Sequence, residues 1–353
     1  LECADGAQEG AHRFGLKNRS ARAVYSGVPK ALRFLVKAVF SETAIMIRRS
    51  PRLIVSLLVA ALIAVAAAAP PPSAAAAGVP VFVDGAWLER HLDDPEVVIV
   101  DMSDETQYQR FHLPGAVHLP YGALLTEREP DKVPVRLDDA RLAVLLGRLG
   151  ITRRHHVVVY DDLGGLNAAR LFWELEHIGH PKVSVLDGGL VRWILDGRRV
   201  VNTPAAARAA THYELTGAGR DNEASLSEVR SAAAGRQAAL LLDVRTAEEY
   251  LGDPKNPRTG HIPGARWWPW KQAVDFARGF VFADRERLRD RFRQAGLSEP
   301  DRPVITYCRS GHRAAHTYLT LRALGFERVR LYASSMNEYA RIPDAPLRQG
   351  PSP

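Results

Sequence analysis

The sequence predicts an α/β protein of two tandem domains, each a small parallel sheet with helices on both faces. Three observations carry this. Short apolar runs alternate with helical stretches along the chain. The same series of segments occurs twice, at offsets of 142, 149, 147 and 146 residues, as if one ancestral unit were used twice. The length of 353 residues suits two domains. With 46% hydrophobic and 25% charged residues, the chain is not disordered, collagen-like or a disulfide-stapled miniprotein.

The elements follow in order. Val97–Asp101 matches Ala239–Asp243; both are apolar runs ending in Asp, as expected of strands buried on two faces. A His-x-Pro-Gly-Ala turn follows at His112–Ala116 and again at His261–Ala265. Next come the runs Val157–Asp161 and Val304–Cys308, then helical stretches over Asn167–Ile178 and His312–Leu324. Gly179 and Gly325 stand where such helices stop. A last apolar run closes each half, Val183–Leu186 and Val329–Tyr332. The boundary is expected near the Ala-, Gly-, Thr- and Pro-rich Thr203–Glu223, which puts one domain over 78–210, a linker at 211–225 and a second domain over 226–353.

The net charge of +7 is unevenly placed. Residues 1–52 hold ten basic and four acidic residues, 53–77 hold none, and 78–353 are almost balanced. The folded part therefore has no basic stripe for a nucleic acid. Met46–Arg52 is a basic lead, and Leu53–Ala69 is an uncharged run of 17 residues, followed by prolines and alanines. That arrangement reads as a signal peptide over 46–77, with export to the periplasm and no stable membrane insertion after cleavage. The run is short for a membrane span; an uncleaved anchor is the alternative. Residues 1–45 show no sustained pattern and are expected to lie outside the mature fold.

Of the two cysteines, Cys3 and Cys308, cleavage would leave only Cys308. A lone cysteine in an exported protein points to a reactive thiol or an intermolecular bridge, with an inert buried residue as the bland reading. Its neighbours favour reactivity. Cys308 ends a strand and faces a helix start through Arg309, Ser310, Gly311, His312 and Arg313. Unpaired amides, the helix dipole and two arginines stabilise a thiolate and suit a small anion. Guanidinium groups fit sulfonate oxygens, with Arg313 favoured over Arg309. His312 either donates a hydrogen bond or caps the helix. Asp243 and Arg245 are expected to pair beneath the loop. The twelve histidines show no metal-ligand spacing.

These motifs resemble the tandem-domain rhodanese family of sulfurtransferases over about residues 79–353. The resemblance rests on the loop Cys308–Arg313, the Asp243 and Arg245 pair, His261–Ala265, and Asp187-Gly-Gly189 with Trp193. It implies two rhodanese-like domains, the second catalytic. It implies a Cys308 persulfide, a small anionic sulfur donor, a thiophilic acceptor and no metal or organic cofactor. Arg245 is then a secondary substrate contact, and Ser335 lies at the cleft rim. Phosphatases and arsenate reductases with a related loop carry Arg six positions after the cysteine, where this chain has Ala314.

The first half has Asp161 at the cysteine position and Ser103 at the Arg245 position, which makes it a non-catalytic, structural half; the resemblance to tandem family members implies that it closes over the cleft. Glu249 replaces a residue that is often basic in the family and is expected to repel an anionic donor. Thiosulfate is the favoured donor and 3-mercaptopyruvate the alternative. A non-catalytic sulfur-binding or interaction module in the cell envelope is the reading from another class. The Trp267, Trp268 and Trp270 cluster is read as packing before binding.

Overall fold

The computed structural model describes residues 79–353. The expected leader, signal peptide and Cys3 lie outside the described residues. The first half runs β1 (Phe82–Val83), α1 (Gly85–Arg90), β2 (Val97–Asp101), α2 (Glu105–Arg110), β3 (Val117–His118), β4 (Leu125–Arg128), β5 (Val133–Arg136), α3 (Asp139–Arg148), β6 (His156–Tyr160), α4 (Ala168–His177), β7 (Val183–Leu186) and α5 (Gly189–Leu195). The second half runs α6 (Leu226–Ala233), β8 (Leu240–Asp243), α7 (Ala247–Leu251), β9 (Arg266–Trp267), β10 (Val274–Asp275), β11 (Val281–Phe282), α8 (Arg285–Gln294), β12 (Val304–Tyr307), α9 (His312–Ala323), β13 (Val329–Leu331) and α10 (Ser335–Tyr339).

Each half is built on a wholly parallel sheet. The strand orders are β1-β7-β6-β2-β3 and β13-β12-β8-β9, with small antiparallel ribbons β4-β5 and β10-β11 beside them. A parallel bridge from Glu223 to Leu331 stands where β1 stands in the first half, so the duplication reaches the sheet edge. Val98 and Val100 point into one core, whereas Val97 and Ile99 point into another. Leu242 and Leu241 divide in the same way. Alternating side chains therefore enter packed layers on both faces, as unbroken apolar strands require.

Helix starts follow the local chemistry. Asp84, Asp104, Asp138 and Asp284 each accept an amide N–H at an N-terminus, and Ser225–Glu228 and Thr246–Glu249 form capping boxes. The central helices are shorter than expected at their ends: α4 starts one residue late, and both α4 and α9 stop one residue early, with Ile178 and Leu324 as C-caps. From Asn202 to Asn222 the chain has neither helix nor strand and runs along the first half, with Thr211 N–H on the Gly147 carbonyl at 2.9 Å.

The two halves share one continuous core that holds residues of both sheets and of α4 and α9. Polar bonds cross the same seam. Glu176 accepts from Tyr318 Oη at 2.6 Å and lies 3.2 Å from Arg322; Asp187 accepts the Phe282 N–H at 2.6 Å; Arg128 pairs with Glu338 at 2.5 Å. Among the described residues no helix is long and apolar enough to cross a membrane, and no cluster of three or more His, Cys, Asp or Glu could hold a metal.

Candidate active site

Cys308 follows β12 at the carboxyl edge of the second sheet, where loops of parallel sheets collect functional groups. It is wholly buried. Gly311 turns the chain into α9 with φ +79°, and a Cβ there would stand 2.4 Å from the Ala333 carbonyl oxygen, so the loop closes this tightly only with glycine. His312 begins the helix, which directs the free amides of its first turn toward the thiol.

Ser335 holds this loop from below. Its Oγ accepts the N–H groups of Cys308 at 3.0 Å and Gly311 at 3.1 Å and donates to the Tyr332 carbonyl at 2.7 Å. Two further amides, Met336 and Asn337, donate to the Cys308 and Arg309 carbonyls. Ser335 is completely buried, beneath the loop and not at a cleft rim, and it adopts φ +51°, a conformation that is strained for a residue with a side chain.

The structure separates the expected cations. Arg309 is exposed and has no ion-pair partner among the described residues; Ser310 is half-buried beside it. Arg313 turns inward, where its guanidinium grips Glu249 at 2.6 and 2.9 Å as a two-pronged pair. Burial favours the neutral acid at Glu249, yet Arg313 outweighs it and holds the carboxyl at about 2. Glu249 is thus neutralised by the arginine expected to bind an anion, and is not a free repelling charge. Arg245 sits beneath the loop, buried, donating to both oxygens of Asp243 at 2.9 and 2.5 Å and to the Gly260 carbonyl at 2.8 Å.

His312 neither caps the helix nor faces solvent. Its Nε2 bonds Asn167 Oδ1 at 2.7 Å, and its ring stacks on Tyr121 at 4.0 Å. Burial, with Arg170, His316 and Arg313 adding positive charge, pushes the imidazole down to about 4, so it is neutral at pH 7 and Nε2 carries the proton given to Asn167. Asn167 in turn donates from Nδ2 to the Met102 carbonyl at 2.9 Å. Tyr121 and Asn167, both from the first half, contact His312 in the loop, and Arg170 behind them is near enough to act on its charge, which the sequence reading missed. One signal was present: Arg170 and Glu174 sit four apart in the otherwise apolar face of α4. The tryptophans mainly pack: Trp268 stacks on Phe292, Trp270 meets His316 edge-on, and half-exposed Trp267 donates to the Arg245 carbonyl.

Such an arrangement presents a thiol to a helix start inside a dry seam, ready to act as a nucleophile. Comparison with known proteins gives the family. The Rhodanese-like domain model matches residues 84–196 and again 225–342. A thiosulfate sulfurtransferase of Azotobacter vinelandii is 32% identical over 275 residues, 77% of this chain and 98% of the relative. The sulfur carrier protein TtuD of Thermus thermophilus is 30% identical, over 76% of this chain and 97% of its own. The crystal structure of SseA from Escherichia coli, described as a 3-mercaptopyruvate sulfotransferase, superposes with a TM-score of 0.63 at 29% identity, covering 73% of this chain and 99% of that one. The chain belongs to the rhodanese-like family, as a tandem-domain sulfurtransferase.

Proposed function

We propose that the protein moves sulfane sulfur from thiosulfate through a Cys308 persulfide to a thiophilic acceptor such as cyanide or a thiol. The buried thiol at the start of α9 is the observation that carries this reading. The Cys308 thiolate attacks the outer sulfur of thiosulfate. The S–S bond of the donor breaks, its electron pair leaves with sulfite, and a persulfide remains. Cyanide then takes the outer sulfur as thiocyanate and the thiolate returns. Amides of the first helical turn stabilise each anion. In this reading residues 226–353 perform the chemistry and 78–210 close the site; Arg309, Ser310, Gly311, His312, Arg313 and Arg245 contact or shape the donor pocket, with Asp243 and Ser335 supporting. Export of the protein rests on the basic lead and apolar run of residues 46–77 alone.

The Arg313–Glu249 pair favours a second reading of the donor. It leaves less free positive charge for a dianion, which suits 3-mercaptopyruvate, a monoanion whose sulfur passes to Cys308 as its C–S bond breaks and the resulting enolate takes a proton to give pyruvate. The ratio of turnover with the two donors decides between them.

Intact mass tests the carrier. Thiosulfate should add one sulfur atom, cyanide should remove it, and Cys308→Ser should gain nothing. A folded protein with a free thiol and no gain from either donor overturns the reading.

A further inference from the structure

The first half lacks the nucleophile, yet it places a buried hydroxyl without an acceptor beside the loop, backed by a buried arginine. Tyr121 begins a short 3-10 turn, Tyr121–Leu124, and packs on the core cluster that contains Cys308. Its Oη is sealed from solvent and has no hydrogen-bond acceptor among the described residues. Arg170 is 1% exposed. Its Nε donates to Glu174 Oε1 at 3.0 Å, while Nη2 lies 2.9 Å from the same oxygen as an ion pair, off hydrogen-bonding geometry, with the guanidinium close enough to the Tyr121 hydroxyl oxygen to donate to it. Glu174 is further shared, because Arg136 Nε takes its other oxygen at 2.9 Å. Native interiors rarely leave such groups unsatisfied, and each orphan is destabilising unless something accepts from it.

The surroundings specify what would accept. Burial raises the Tyr121 pKa, so its hydroxyl stays protonated and able to donate; Arg170 and Cys308 are both near enough to act on it electrostatically. His312, four residues from the thiol, stacks on the Tyr121 ring and lies within the field of Arg170. In the loop itself, Arg313 is committed to Glu249 and Arg309 is exposed. Beside the free amides of the α9 start, the first half therefore adds a side-chain donor of its own, the Tyr121 hydroxyl.

We propose that Tyr121 Oη and Arg170 Nη2 form an oxyanion-receiving wall opposite Cys308, which holds the sulfonate end of a sulfur donor and the sulfite that leaves. This deepens the sulfurtransferase reading and rests on it for the identity of the anion. It gives the first half a substrate-binding role: one half provides the sulfur carrier and the other grips the group that departs. The sulfur transfer itself is unchanged, with the donor S–S bond breaking and its electron pair leaving on sulfite.

Tyr121→Phe is the informative variant. It removes only a hydroxyl that donates to nothing in the protein and has Arg170 as its one polar neighbour, so a purely structural role predicts a nearly unchanged melting temperature and unchanged ligand binding. The proposal predicts that same stability together with about a tenfold or greater loss of sulfite affinity, the scale of one hydrogen bond to a charged group. Sulfite is titrated calorimetrically into the full-length protein, and thiosulfate KM is measured in parallel and should rise similarly. Arg170→Lys, which keeps the charge and loses the planar fork, should weaken sulfite in the same direction. Sulfite binding equal in wild type and Tyr121→Phe overturns the wall, as does absence of millimolar sulfite binding by the wild type. Loss of sulfite binding in Tyr121→Phe, with no persulfide formed on the wild type, keeps the wall and overturns the sulfur-carrier reading instead.

Discussion

Asp161 and Cys308 occupy equivalent positions at the ends of β6 and β12, and they use the same backbone differently. The Asp161 carboxylate is itself the anion of its loop: it accepts N–H groups from Leu163, Gly165, Asn167 and Ala168 at 2.6–2.9 Å. In the second half Ser335 Oγ takes the Cys308 and Gly311 amides, and the amides of the α9 start remain for an incoming charge. The first loop is satisfied from within; in the second no side chain caps the helix start. Their supports differ in parallel. Gly189 and Ser335 occupy matching places with the same φ of +51°, but glycine adopts it without strain whereas serine is held there to present its hydroxyl.

Everything around these loops is shared. Tyr108 stacks on His112 at 3.9 Å and Tyr250 on His261 at 3.8 Å. Each tyrosine donates to the alanine carbonyl of its own Pro-Gly-Ala turn. Each histidine Nδ1 bonds the carbonyl of its tyrosine. Duplication preserved this tyrosine–histidine scaffold, while the loops at Asp161 and Cys308 diverged.

The sharpest break in this comparison is Cys308→Ser, which should reduce sulfur uptake and turnover to background while leaving the urea midpoint nearly unchanged, since the swap removes no loop hydrogen bond. Second comes Asp161→Ala. It strips a charged acceptor from four buried amides and should lower unfolding free energy by about 3 kcal/mol in urea titrations. Activity should fall as well, because Asn167 of that loop steadies His312. A loss under about 1 kcal/mol would mean that the first loop is not held by its own anion. Third, Glu249→Gln frees Arg313 and should lower thiosulfate KM about fivefold to tenfold, with a smaller effect on 3-mercaptopyruvate, in steady-state assays. An unchanged ratio between donors removes the ion pair from donor selection.

The smallest effect concerns pH. Burial, with the Gly164 carbonyl and Asp161 opposing it only weakly, pushes His316 to about 4, as it does His312. In the unfolded chain each takes up a proton near 6.5. Between those values the unfolded state binds more protons, so stability should fall as pH drops from about 6.5 to 4, by up to about 1.4 kcal/mol per unit for each histidine. Glu249, held near 2 in the folded protein against 4.5 in the unfolded chain, adds to the same downward slope only at the acid end of that window, below about pH 5. His316→Gln should flatten the profile of urea midpoint against pH.

The duplicated architecture was legible because a strand buried on two faces writes itself as an apolar run, and because glycine and proline mark where such runs turn. Cys308, its helix start and the Asp243–Arg245 pair were legible for the same reason: they are neighbours along the chain, where spacing alone implies proximity. The partners of those groups were not. Glu249 reaches Arg313 across 64 residues, and Tyr121 and Arg170 come to the loop from the other half. Reading Glu249 by charge alone gave repulsion, where packing gave a neutral pair. Ser335 was recognisable as part of a motif, but its place beneath the loop depends on how β13 hands the chain to α10.

The sequence by itself determined the main strands and central helices, their duplication and the place of Cys308 at a strand end, since local backbone preferences and hydrophobic periodicity act over a few residues. Tertiary structure alone decided which cations are free and which donors are orphaned. Those properties depend on burial and on distances between groups remote in the chain, and the seam between the two sheets is what creates both.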